Sequence, residues 1–255
     1  MAARNTYPLP GARAAILSLL LVLAAGAWAL LLWQAAHSMG GMGLTMGLNA
    51  PLFVALWIVM MVATMFPAAA PMVLMFARVH AGKRQHGQPF VPTWVFVGAY
   101  LLVWTLFGVL AYAAAAGAER LAAQSMWLTN HAARLGGAVL VLAGLYQLSP
   151  LKHACLSKCR TPLQFIMTSW REGYGGTLRV GIEHGAYCLG CCWLLFVILF
   201  PLGMMNVAAI AVITLLIFAE KALPLGQWAS SLAAAALIVY GAIVISWPHA
   251  LPTTM

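Results

Sequence analysis

The stretch Ala14–Ala36, AAILSLLLVLAAGAWALLLWQAA, runs for 23 residues without a charge. As a helix it would extend about 34 Å, enough to cross the roughly 30 Å hydrocarbon core of a bilayer. It is longer than the apolar core of a signal peptide, about 7–15 residues, and reads as an uncleaved first span. Six further apolar runs follow, at about 51–77, 93–116, 135–149, 185–200, 207–219 and 227–247. The runs at 185–200 and 207–219 fall short of the ~20 residues of a full crossing, so they read as a tight hairpin that either spans or re-enters.

Composition agrees with this reading. Of 255 residues, 64% are hydrophobic and 7% are charged, where a soluble domain carries about 25% charged residues. So few charges could not clothe a soluble surface. The expected fold class is all-α: a polytopic transmembrane helix bundle of about seven helices, or six if the hairpin re-enters. It forms a single transmembrane domain over 1–255, with the lipid bilayer as its partner.

Thirteen Lys and Arg stand against four acids. Their placement excludes nucleic acid as the explanation, because they cluster in short segments between the apolar runs. With the N-terminus cytoplasmic, eleven bases lie inside: Arg4, Arg13, Arg78, Lys83, Arg84, Lys152, Lys158, Arg160, Arg171, Arg179 and Lys221. Only Arg120 and Arg134 lie outside, which is the asymmetry that sets orientation. Residues 151–183 read as a cytoplasmic basic loop that contains Cys155 and Cys159. Within it, Pro162–Trp170 is amphipathic enough to lie at the membrane interface.

All five cysteines fall within one 38-residue stretch. His184, Cys188, Cys191 and Cys192 are spaced by three and four residues, which puts them on one side of one helix. Cys155 and Cys159, in Cys-Leu-Ser-Lys-Cys, are expected at the same, cytoplasmic, layer. One such cysteine is ordinarily a small apolar residue; six imidazole and thiol groups in one layer point to a metal site. A disulfide is not expected on a reducing side of the membrane.

Methionine is the second signal, with 14 in the chain. Met61, Met65 and Met72 lie along the second span, where thioethers also serve as packing. His37, Met39, Met42 and Met46 lie in a Gly-rich outer loop that has no core to fill, and read as a thioether site. Thiolate with thioether selects Cu(I), whereas zinc accepts Cys and His but rarely Met. Copper as Cu(I) is therefore the expected ion, ahead of zinc. Pro67 and Pro71 in the second span can kink it and free backbone carbonyls.

The other polar residues have simpler readings. Glu183 can pair with Arg179 at (i, i+4), and Glu220 with its neighbour Lys221. His80, His86, His153 and His249 read as solvated. Gln147 and Asn206 can hydrogen-bond between helices.

Several blocks together resemble a known family: Met60–Met72, Tyr146–Lys152, Cys155–Arg160, His184–Trp193, Gly203–Asn206 and Glu220–Pro224. The chain resembles, over roughly residues 50–225, the bacterial family labelled predicted metal-binding integral membrane protein, a domain of unknown function. The resemblance implies metal binding in a bacterial inner (cytoplasmic) membrane, and no settled reaction. The expectation is a protein that binds or moves Cu(I) between Met sites and a Cys/His cluster, with a metallochaperone or cuproenzyme as partner. No G-x-x-x-x-G-K-[ST] loop is present to supply ATP. Two alternatives stand beside it: a thiol–disulfide relay using Cys188/Cys191 and Cys155/Cys159, and a structural subunit whose cysteines are incidental.

Overall fold

The computed structural model describes residues 10–37, 43–85, 87, 90–224 and 226–252. The fold is all-α, with no strand among the described residues. Helices α1 (Pro10–His37), α2 (Ala50–Gln85) and α3 (Thr93–Gln124) are followed by α4 (Met126–Gln147). Two short helices come next, α5 (Pro150–Arg160) and α6 (Pro162–Ser169), and then α7 (Gly173–Val197) and a single turn, α8 (Leu199–Leu202). Helices α9 (Val207–Ala222) and α10 (Gly226–Ser246) complete the bundle.

Local chemistry sets most of these ends. Ser125 caps α4, Ser149 caps α5 ahead of Pro150, and Asn206 caps α9 by accepting from Ala209 N at 3.1 Å. Each side-chain oxygen satisfies one of the N–H groups a helix start leaves free. Asn206 also donates to Leu202 O at 3.1 Å, so it closes the turn at Gly203, whose φ of 95° favours a residue without Cβ. The helix α2 continues through Pro67 and Pro71, which lack the N–H that would bond the carbonyl four residues back.

Among the described residues, five helices are long and apolar enough to cross a membrane: α1, α2, α3, α7 continued through α8, and α10. The pair α4 and α5, bent by 61°, makes a sixth if it is one span. The expected span at 207–219 is the 16-residue α9, about 24 Å long and shorter than a bilayer core. The outward faces are apolar, with Val22, Leu110, Val212, Leu215 and Leu232 all exposed. The polar groups turn inward instead: Lys152 and Glu220 are 0% and 1% exposed and paired at 2.7 Å.

Four of the longer helices outrun the expected boundaries. Helix α2 extends to Gln85, and His80 is buried within it, its Nδ1 accepting from Val91 N at 3.1 Å. It is not the solvated loop histidine the sequence suggested; the rings of Phe76 and Trp170 pack against it at a tilt. Helix α3 reaches Gln124, α4 begins at Met126, and α7 begins at Gly173 rather than near Gly185. Arg179 donates to Glu183 at 2.9 Å, as the (i, i+4) spacing suggested. Lys83 reaches Glu172 at 2.6 Å across the interhelical gap and, by donating to it, holds that carboxyl below the usual carboxylate range.

Candidate metal centre

The three cysteines of α7 point into the bundle and are 0–1% exposed. Because α7 starts early, Cys188 lies 15 residues into it, about 22 Å along its axis. The cluster therefore lies well along α7, inside the helix bundle. The Cys191 and Cys192 thiols both donate to the Cys188 carbonyl, at 3.1 and 2.8 Å. Their sulfurs are 3.6 Å apart.

Other elements bring further groups to Cys188. Its thiol lies 3.9 Å from the Met65 thioether of α2. Tyr100 of α3 places its hydroxyl 3.2 Å from the same sulfur. Lys221 of α9 donates to Cys188 Sγ at 2.9 Å and lies 4.0 Å from Cys192 Sγ. Cys159 of α5 is half-buried and packs against the core cluster that contains the three α7 cysteines. Cys155 lies over Gly190, where an added Cβ would meet its sulfur at 2.8 Å. A side chain at Gly190 would hold α5 off α7, and Tyr146 fixes the same turn by donating to Gly190 O at 2.5 Å.

His184 sits one turn before Cys188 and is 2% exposed. Phe96, Tyr100 and Phe165 surround its ring. Neither of its ring nitrogens has a hydrogen-bond partner. A buried imidazole without partners costs stability, so His184 calls for an explanation beyond packing. Among the described residues, no three His, Cys, Asp or Glu side chains stand ready around one point for a metal ion. The thiols are turned instead to the Cys188 carbonyl and to Lys221. As a donor set, soft sulfur from α2, α5 and α7 beside an unpartnered imidazole fits Cu(I) in chemical type.

The remaining expected ligands separate. Met61 is fully buried in the same core cluster as the cysteines. Met72 packs elsewhere, in an apolar cluster with Phe66, Phe76 and Phe96. His37 is exposed at the end of α1, stacked on Trp33, with Nδ1 2.8 Å from Trp33 O. Met39 and Met42 lie outside the described residues. Met46 turns away from the loop surface and lines a cavity with Met60, Met204 and Met205.

Sequence reasoning missed Lys221 and Tyr100. Glu220 and Lys221 are adjacent, so their side chains leave the helix about 100° apart. That angle was the available signal that they serve different partners. Glu220 meets Lys152, Gln147 and Ser230, while Lys221 meets the cysteines. The pairing of Glu220 with its own neighbour is thereby corrected. Gln147 does hydrogen-bond between helices, as expected.

The chain is thus a helix bundle with apolar outer faces and a buried layer of thiols and thioether. Residues 54–244 match the family model PpoB2, described as copper chaperone, and the chain belongs to that family. The expected metal-binding family is thus met as a copper-related one. No curated protein and no solved structure matches the chain.

Proposed function

We propose that this chain is a multi-pass membrane protein that binds Cu(I) at its central sulfur cluster and passes it to a partner protein. Cys188, Cys191, Cys192 and Cys159 supply thiolates, Met65 a thioether, and His184 an imidazole on the same helix face as Cys188. The observation that carries this reading is the convergence of sulfur from α2 and α5 on α7, Met65 against Cys188 and Cys155 over Gly190, beside the adjoining Cys191 and Cys192 thiols. Membership of a copper chaperone family supports the choice of ion. Lys221 offsets the negative charge that thiolates gain when they release protons to take up the metal. Soft ligands exchange by stepwise replacement, so transfer needs no nucleotide.

The distribution of bases supports an N-terminus on the cytoplasmic side of a bacterial inner membrane, with α9 closing the bundle as a short seventh helix. A cuproenzyme or a soluble metallochaperone would be the acceptor.

The test is anaerobic Cu(I) titration of the detergent-solubilised protein. Cys188→Ser/Cys191→Ser/Cys192→Ser is expected to lose one equivalent of Cu(I) relative to the parent. Full stoichiometry in that variant would sink the cysteine site. Zinc, offered in competition at equal concentration, is expected to leave the bound Cu(I) in place, because Met65 contributes nothing to a zinc shell.

A further inference from the structure

We propose that Met46, Met60, Met204 and Met205 form a second Cu(I) site, made of thioethers alone and separate from the cysteine cluster. The choice of metal rests on the copper-handling reading above; the place does not. The four methionines line one cavity of about 10 Å³ together with Phe53, Leu56 and Trp57. That is room for about one water-sized body, and no polar side chain lines it to hold a water. A bare ion fits the size, and of the common biological ions only a soft one accepts thioether ligands.

Three separate segments deliver these side chains. Met60 comes from α2, Met204 and Met205 from the turn between α8 and α9, and Met46 from the loop before α2. Packing alone does not explain Met46. Its φ is 57°, the single non-glycine residue with positive φ among those described. That conformation costs of order 1–3 kcal/mol and persists only when surrounding contacts impose it. Those contacts are present: the Glu119 carboxylate of α3 accepts from Thr45 N at 2.8 Å and from Thr45 Oγ1 at 2.9 and 3.1 Å. Gly43, with φ of 123°, lets the loop close on Glu119, since an added Cβ there would come within 2.5 Å of Glu119 Oε1. The loop is therefore pinned so that the methionine after Thr45 faces the cavity.

The aromatic wall is fixed as well. Trp57 is 1% exposed and donates its indole N–H to Trp104 O at 3.0 Å, so its ring cannot turn away. An indole face attracts a cation and shields it from water. Met60 and Met65 are five residues apart on α2, a rise of about 7.5 Å. Met65 touches Cys188, so the same helix that supplies Met60 to this cavity also supplies a thioether to the cysteine cluster.

Proton competition separates the two sites experimentally. Thiolates must lose a proton to bind metal, whereas thioethers have none to lose. The full-length protein is titrated anaerobically with Cu(I) at pH 7 and pH 5, with X-ray absorption reporting the ligands. The parent is expected to bind two equivalents at pH 7. Cys159→Ser/Cys188→Ser/Cys191→Ser/Cys192→Ser is expected to retain one, with an all-sulfur shell unchanged at pH 5. Met46→Leu/Met60→Leu/Met204→Leu/Met205→Leu conserves volume and is expected to retain the other, which is lost as pH falls.

A cysteine-free variant that binds no Cu(I), while the methionine-free variant binds as the parent does, overturns the second site and leaves the cysteine site standing. A single equivalent that survives removal of the cysteines but not of the methionines overturns the cysteine site alone. Should the fourfold leucine variant not accumulate, Met46→Leu and Met204→Leu singly must each weaken the pH-insensitive equivalent at least tenfold. Unchanged affinity in both rejects the proposal.

Discussion

Lys152→Ala and Glu220→Ala are each expected to destabilise the protein by about 3–5 kcal/mol, because each strands the partner as a buried charge. Lys152 Nζ donates to both Glu220 oxygens, at 2.7 and 2.8 Å, and to Gln147 Oε1. Gln147 Nε2 and Ser230 Oγ in turn donate to Glu220 Oε1, at 3.2 and 2.9 Å. Every strong bond of the pair is thus made to another member of the network, drawn from α4, α5, α9 and α10. Water cannot replace a lost partner at this depth.

The double variant Lys152→Met/Glu220→Leu carries no charge and is expected to recover most of the loss, since a buried pair replaced by apolar groups is often nearly neutral. Unfolding in detergent, followed by heating or denaturant, reads all three. A single alanine variant within 1 kcal/mol of the parent would contradict the account. The network also sets the roll of α9, and so directs Lys221 at Cys188. The single variants are therefore expected to expose the buried Cys188 to alkylation even where the chain remains folded.

The second large effect is expected at the crossing of α4 and α10. An added Cβ at Gly137 would come within 2.9 Å of Gly241 O, and one at Gly241 within 2.7 Å of Gly137 O. At Gly144 it would meet Ala234 O at 2.8 Å. These obstacles are backbone, which cannot swing aside. Close approach through small residues is what holds helices together where lipid removes the usual hydrophobic drive. Gly137→Leu and Gly241→Leu are each expected to cost at least about 1–3 kcal/mol, the usual range for overpacking, and together to separate the two helices. Disulfide trapping between cysteines placed on facing turns of α4 and α10 measures this directly. Cross-linking at the parent rate in Gly137→Leu/Gly241→Leu would show that the crossing tolerates the added bulk.

The apolar bundle was legible because its signal is additive. Runs such as 14–36 and 227–247 stand out from composition alone, and each became a helix at nearly the expected limits. The ends of α2, α3 and α7 were less legible. Polar and glycine residues such as Gly173–Gly176 break hydropathy without breaking the helix, so α7 was expected to start too late and its cysteines too near its beginning. The spacing of His184, Cys188, Cys191 and Cys192 correctly put them on one buried face, because helical geometry alone decides that. Which other elements reach that face is a matter of tertiary packing. Met65 arrived there, Met72 and His37 did not, and nothing local to those residues separates the two outcomes. Lys221 was overlooked because a Glu–Lys dipeptide at a helix end has an easy surface explanation.

The Cys188 carbonyl, which receives hydrogen bonds from the thiols three and four residues ahead, has a kinetic consequence. Both sulfurs are tethered only through rotation about their own Cα–Cβ bonds. Turning them to grip an ion requires two swivels and no unwinding of the helix, and side-chain rotation is among the faster motions a protein makes. Capture and surrender of cargo would then be limited by how soon the ion or its recipient arrives, not by any remodelling of the chain.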